Sequence, residues 1–167
     1  MSASWEQVHG LMAEVGALMD LPQVTELPDH DYWRVVHADE TGTDVDFERA
    51  TGKIVLSTLL GVPRAQGREA LYDTLLAYNC AWRETGGARL GLDGPGGEVV
   101  LMFDLDAEGL DVSAFGGVLA NFQEVAAVWR RLVARGVGAA SAATRGDGAA
   151  AASAPMPSFI PPGFIRG

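Results

Sequence analysis

Three residues separate two strand-like segments in this chain, and that spacing fixes how they must pair. Residues 43–49 alternate, with Val45 and Phe47 on one side and Asp44, Asp46 and Glu48 on the other. This is the period of a strand with one wet face. After Ala50-Thr51-Gly52, residues 53–60 are apolar on both sides, through Ile54, Leu56 and Leu60 and through Val55 and Leu59. A parallel crossover needs a dozen or more residues, so a turn this short implies an antiparallel hairpin. Upstream, residues 32–37 are aromatic and β-branched, and Ala38-Asp39-Glu40-Thr41-Gly42 is a turn signal. The three segments read as an antiparallel meander.

Helical patterns surround it. Ser4 can cap a first helix in which Trp5, Val8, Met12, Val15 and Met19 share a face, widened by Leu11 and Leu18. Leu21-Pro22 and Leu27-Pro28 end that helix and read as a loop. Residues 67–85 read as a second helix with Leu71, Leu75, Tyr78 and Trp82 on one face and Tyr72, Leu76 and Cys80 beside it, stopped by Gly86-Gly87. Two more strands are expected at 88–92 and 98–105, joined by Asp93-Gly94-Pro95-Gly96-Gly97. A third helix spans 111–134, its stripe running from Phe115 through Phe122 to Trp129 and Val133. The order α-β-β-β-α-β-β-α predicts an α+β fold, a twisted antiparallel sheet with helices packed on it.

Composition divides the chain into three parts. Residues 1–134 form the folded domain and carry nine Arg plus Lys against 21 Asp plus Glu, a net −12. Residues 135–154 have the Ala/Gly/Ser composition of a linker. Residues 155–167 are Pro-rich and apolar, with Phe159-Ile160 and Phe164-Ile165 flanking Pro-Pro-Gly. The strong negative field repels phosphate backbones and anionic lipid, which argues against nucleic-acid and membrane-surface roles. No apolar run approaches the roughly 18 residues a membrane span needs. The first residues lack a basic region followed by an apolar stretch, so no signal peptide is expected. A single cysteine, Cys80, fits a reducing cytoplasm.

Catalytic chemistry finds little support. His9, His30 and His37 have no metal-ligand spacing, and His9 and His37 read as ordinary solvated or half-packed residues. His30 lies between two aspartates in a loop, without partners for acid–base work. Asp104 and Asp106, like Asp44, Asp46 and Glu48, read as a solvated strand face that resists edge aggregation rather than as a cation site. The glycines at 94–97 lack the Lys and Ser/Thr of a phosphate loop and read as a hairpin turn. Cys80 reads as a buried helical residue rather than a nucleophile. No cofactor, metal or enzymatic activity is expected. What remains is apolar side-chain surface in excess of one small core, which marks association sites.

The segment Leu71-Tyr72-Asp73-Thr74-Leu75-Leu76-Ala77-Tyr78-Asn79, followed by Thr85-Gly86-Gly87-Ala88-Arg89-Leu90-Gly91-Leu92-Asp93, resembles the class I type III secretion chaperones, the CesT/Tir chaperone family. Members show a leucine-leucine helix with a following asparagine that leads into a short glycine-bearing strand. Residues 99–103 and the helix through Phe122 and Trp129 are similar to it too. The resemblance implies a cytoplasmic homodimer with Leu75, Tyr78 and Trp82 at its interface. It also implies that Leu11, Leu18, Val36, Phe47, Ile54 and Leu56 bind the N-terminal region of a secreted effector, kept soluble, partly unfolded and ready for export. The chain departs from the family after the third helix. Phe159, Ile160, Phe164 and Ile165 are read as a docking motif for a groove of the same dimer or for an export-apparatus component. The rival reading is an α+β regulatory module that sequesters a folded partner.

Overall fold

The computed structural model describes residues 4–137. Helix α1 (Trp5–Leu18) begins at Ser4, whose hydroxyl accepts from the Gln7 amide at 3.3 Å, a side-chain N-cap. Strands β1 (Gln23–Leu27), β2 (Tyr32–Val36), β3 (Gly42–Glu48) and β4 (Lys53–Gly61) follow, then α2 (Arg68–Cys80), β5 (Arg89–Leu92), β6 (Val99–Asp106) and α3 (Val112–Arg135). The six strands form one antiparallel sheet in the order β1-β2-β3-β4-β6-β5. The meander, both later strands and all three helices follow the sequence reading.

Three differences carry physical reasons. The segment expected as a loop after α1 is strand β1, paired with β2 from Gln23↔Val36 to Leu27↔Tyr32. Pro22 and Pro28 flank it, and prolines are tolerated at the ends of an edge strand. A 3-10 turn (Pro28–His30) and Asp31 in the left-handed conformation, φ +50°, connect it to β2. Helix α2 stops at Cys80, short of the expected residue 85, and Gly86 and Gly87 take positive φ in the turns beyond it. Cys80, expected to be buried, is exposed.

Alternation along the strands divides the sheet into two unlike faces. One face carries Trp33, Val35, Val45, Phe47, Ile54, Leu56, Leu101 and Phe103, all buried. Helix α3 lies on this face over β4 and β6, α1 packs on α3 and β1, and α2 packs on β5. Helix α3 starts at Asp111, whose carboxylate accepts from the Ala114 amide at 2.7 Å. Gly116 lets α1 approach: a Cβ there would meet Leu18 Cδ2 at 3.3 Å and Met19 Cγ at 3.5 Å. Tyr78 of α2 meets Trp129 of α3 edge to face, 5.0 Å between centroids, and both rings are fully buried.

Candidate functional site

The described residues offer three surfaces: a cleft between α1 and β1, the open sheet face, and the outer side of α2. The cleft arises because α1 crosses the inner face near the β1 edge without filling the space above it. It has a volume of about 170 Å3 and is lined by His9, Met12, Ala13, Gly16, Val24, Glu26 and Trp33. Trp33 and Met12 are almost wholly buried. Val24 and Glu26 face inward because they pair with the inward residues Val35 and Trp33. His9 Nε2 stands 3.2 Å from Glu26 Oε2. Leu18 and Leu27, at 55% and 42% exposure, lie outside the cleft, Leu18 near Gly116 of α3 and Leu27 opposite Tyr32 on the other sheet face. Strand β1 is also a sheet edge.

The open sheet face is mixed. Asp44 accepts from both the Tyr32 hydroxyl and the Arg34 guanidinium. Across the sheet Arg89 grips Asp104 with two nitrogens, at 2.7 and 2.9 Å, and this holds the Asp104 carboxyl below the usual carboxylate range. Asp46 is shifted the other way by burial and by the neighbouring Asp44. Val36, Val55 and Met102 lie half-buried among these groups. The strand-spaced carboxylates Asp44 and Asp104 are therefore tied into sheet pairings, and no group of three or more His, Cys, Asp or Glu able to hold a metal occurs among the described residues.

Helix α2 turns Leu71, Leu75 and Tyr78 into the core. Leu76 and Trp82 remain outside at 66% and 58% exposure, and the Arg83 guanidinium lies 5.1 Å from the Trp82 ring centroid. Asn79 faces β5. Its Nδ2 donates to the Leu90 carbonyl at 2.8 Å and its Oδ1 accepts from the Leu90 amide at 2.9 Å.

The residues expected to bind an effector do not gather on one surface. Leu11, Phe47, Ile54 and Leu56 are core residues, covered by the chain itself, and can touch a partner only if the core opens. Leu18 is exposed at the end of α1 near Gly116 of α3, and Val36 is half-buried on the open sheet face. Strand alternation groups residues by face, but it does not say which face the helices will cover. Of the expected dimer contacts, Leu75 and Tyr78 are likewise buried, and Trp82 is exposed because the helix ends two residues before it. Sequence reasoning missed the cleft because its outer wall is β1. It also missed Leu76 as the outward residue of α2. The tail residues Phe159, Ile160, Phe164 and Ile165 lie outside the described residues, as does most of the linker.

His37, expected to be solvated or half-packed, is buried. Its Nε2 lies 2.8 Å from the Thr43 hydroxyl, and burial holds the imidazole below its ordinary value, opposed by Asp39 and assisted by Arg130. Arg130 of α3 donates to the Thr58 hydroxyl at 2.8 Å, and Gln123 donates to Thr41 at 2.5 Å and to Asp39. These contacts fasten α3 to the β2–β3 turn and to β4.

No curated protein matches the sequence. Among solved structures, the fold is similar to that of the ExsC–ExsE complex, with 22% identity, a TM-score of 0.66 and coverage of 80% of this chain and 97% of that one. It is also similar to the HopA1–SchA chaperone–effector complex, at 18% identity and TM-score 0.63, covering 78% of this chain and 98% of that one. A third is the heterodimeric ExoU–SpcU complex from the type III secretion system of Pseudomonas aeruginosa, at 17% identity and TM-score 0.55, covering 74% and 95%. Residues 15–130 match the model of the Tir chaperone protein (CesT) family. That match takes in most of the chain, from the end of α1 to the second half of α3, and the chain belongs to the Tir chaperone family.

Proposed function

We propose that this protein is a type III secretion chaperone of the bacterial cytoplasm that binds a non-globular N-terminal segment of a secreted effector and keeps it soluble and export-competent. The observation that carries this reading is the cleft floored by Trp33 and set beside an edge strand, in a chain of the Tir chaperone family. An extended partner segment can pair with the β1 edge and place alternate apolar side chains in the cleft. The structural neighbours support the choice of partner, since one is a chaperone–effector complex and another an assembly from a type III secretion system. Burying apolar surface contributes about 25 cal/mol per Å2 before ordering costs. Those costs keep such a complex releasable.

The protein works as a homodimer in this reading. Leu76 and Trp82 on the outer side of α2 are the exposed apolar residues best placed to meet a second copy. No bond is made or broken in the proposed mechanism. Among the described residues no helix is long and apolar enough to cross a membrane.

The test is co-expression with the product of the adjacent gene. A soluble complex that survives gel filtration, formed through the partner's N-terminal region, supports the reading. A complex formed only with a folded regulator favours sequestration instead, and no complex with any secreted substrate of the same bacterium rejects the chaperone assignment.

A further inference from the structure

We infer that the C-terminal segment 155–167 docks in the α1–β1 cleft of its own chain, with one of its phenylalanine rings seated on Trp33. Control of cargo entry by this contact rests on the chaperone reading, but the docking itself does not.

Size, reach and charge favour this occupant. An engineered cavity of about 150 Å3 takes up benzene. The cleft, at about 170 Å3, is comparable in size, and Trp33, Met12, Val24, Ala13 and Gly16 line it beside the His9–Glu26 pair. The segment offers two such rings, Phe159 and Phe164, each followed by isoleucine.

Reach follows from where the described chain ends. Gly136 and Val137 lie against Gln66 and Gly67, where a Cβ on Gly67 would meet the Val137 carbonyl oxygen at 3.1 Å. The cleft is near the opposite end of α3, because Leu18 and Met19, just beyond Gly16, touch Gly116. Twenty residues of helix between Gly116 and Gly136 span about 30 Å at 1.5 Å per residue. Twenty-one residues, 138–158, lead from Val137 to Phe159. For a Gly/Ser-like chain of that length the root-mean-square span is roughly 25 Å. A tether whose span matches the gap gives the highest effective concentration, in the millimolar range for a short linker, so weak docking suffices.

Charge points the same way. Residues 1–134 carry −12, whereas residues 135–167 carry Arg135, Arg145 and Arg166 against Asp147 alone. Arg166 follows Phe164-Ile165 directly, and Glu26 lines the cleft. A cargo segment must then displace a resident ligand, and the tail refills the cleft once cargo leaves for export.

Met12 provides a reporter that needs no cargo. In the full chain labelled at methionine methyls, the Met12 signal is compared with that of the F159A/F164A variant, the signal being assigned with Met12→Leu. The docking predicts a shifted Met12 resonance in the variant. A synthetic peptide of residues 155–167 then returns it toward the original position, with an apparent affinity at least tenfold tighter for the variant than for the unaltered chain. Identical Met12 signals in the two proteins overturn the proposal. A change confined to Met102, on the open sheet face, overturns it too, as does a Met12 difference that vanishes on dilution, which would mean docking between separate chains. Each of these results is read without an effector, so the chaperone reading stands or falls separately.

Discussion

Asn79 pairs with Leu90 as a neighbouring strand would, its side-chain amide donating to the Leu90 carbonyl at 2.8 Å and accepting from the Leu90 amide at 2.9 Å. Both main-chain groups of this residue of edge strand β5 are thereby satisfied by a helix side chain. The asparagine that follows the leucine pair in α2 binds helix to sheet and closes part of an edge that would otherwise invite pairing.

Replacing Asn79 with Ala removes both bonds and leaves two partly buried main-chain groups without partners. The expected cost is about 1–3 kcal/mol, the range for unsatisfied buried groups. Asn79→Asp keeps the acceptor and loses the donor, so its loss is smaller near pH 3 than at pH 7, where a carboxylate faces the Leu90 carbonyl. Urea unfolding followed by circular dichroism checks both.

The Tyr78 ring and the Tyr78 hydroxyl have separate consequences. The ring packs on Trp129 in the core, so Tyr78→Ala is expected to cost about 3–5 kcal/mol. The hydroxyl lies near Thr85 and Trp129 Nε1, yet makes no well-formed hydrogen bond among the described residues. Tyr78→Phe therefore stays within about 1 kcal/mol of the parent. Thermal unfolding of the two variants separates the effects.

His37 makes stability depend on pH. Its folded value lies below the ordinary 6.5, chiefly through burial. The unfolded state therefore binds the proton first, and stability is complete above about pH 6.5 and declines as pH falls below it. His37→Gln flattens this decline between pH 7 and 5, and Asp31, Asp39 and Asp104, all held below the ordinary carboxylate value, leave their own loss at more acid pH. Melting temperatures measured across pH 4–8 check the sign.

The dimer proposal makes a prediction that the core does not. Leu76 and Trp82 are exposed within one chain, so L76E/W82A is expected to leave the circular dichroism unchanged and to halve the mass seen by sedimentation equilibrium. A variant that keeps the parent mass removes the α2 interface.

The sequence exposed some of this plainly and concealed the rest for identifiable reasons. The β3–β4 hairpin was legible because Val45 and Phe47 alternate with acids and only Ala50-Thr51-Gly52 intervenes. Strand β1 was not, because Gln23 to Leu27 is five residues long, lies between prolines, and gains its order from β2. The core stripes of α1 and α3 were correctly grouped. Phe47, Ile54 and Leu56 were correctly grouped too, but which face lies under the helices is decided by how α1 and α3 cross the sheet. Cys80 and Trp82 sit where α2 unwinds, and a periodic pattern carries no information past the end of its helix. The cleft joins α1 to β1 and could not be seen while β1 was read as a loop.

Ala13 is exposed and lines the cleft without supporting the core, so Ala13→Arg blocks the site while sparing the fold. The most direct measurement is calorimetric titration of the parent and A13R proteins with the isolated N-terminal segment of the effector encoded beside this gene. Binding by the parent with at least tenfold weaker binding by A13R is the predicted result. Equal binding by both proteins, or no binding by either while the intact folded partner still binds, would contradict the cleft as the cargo site.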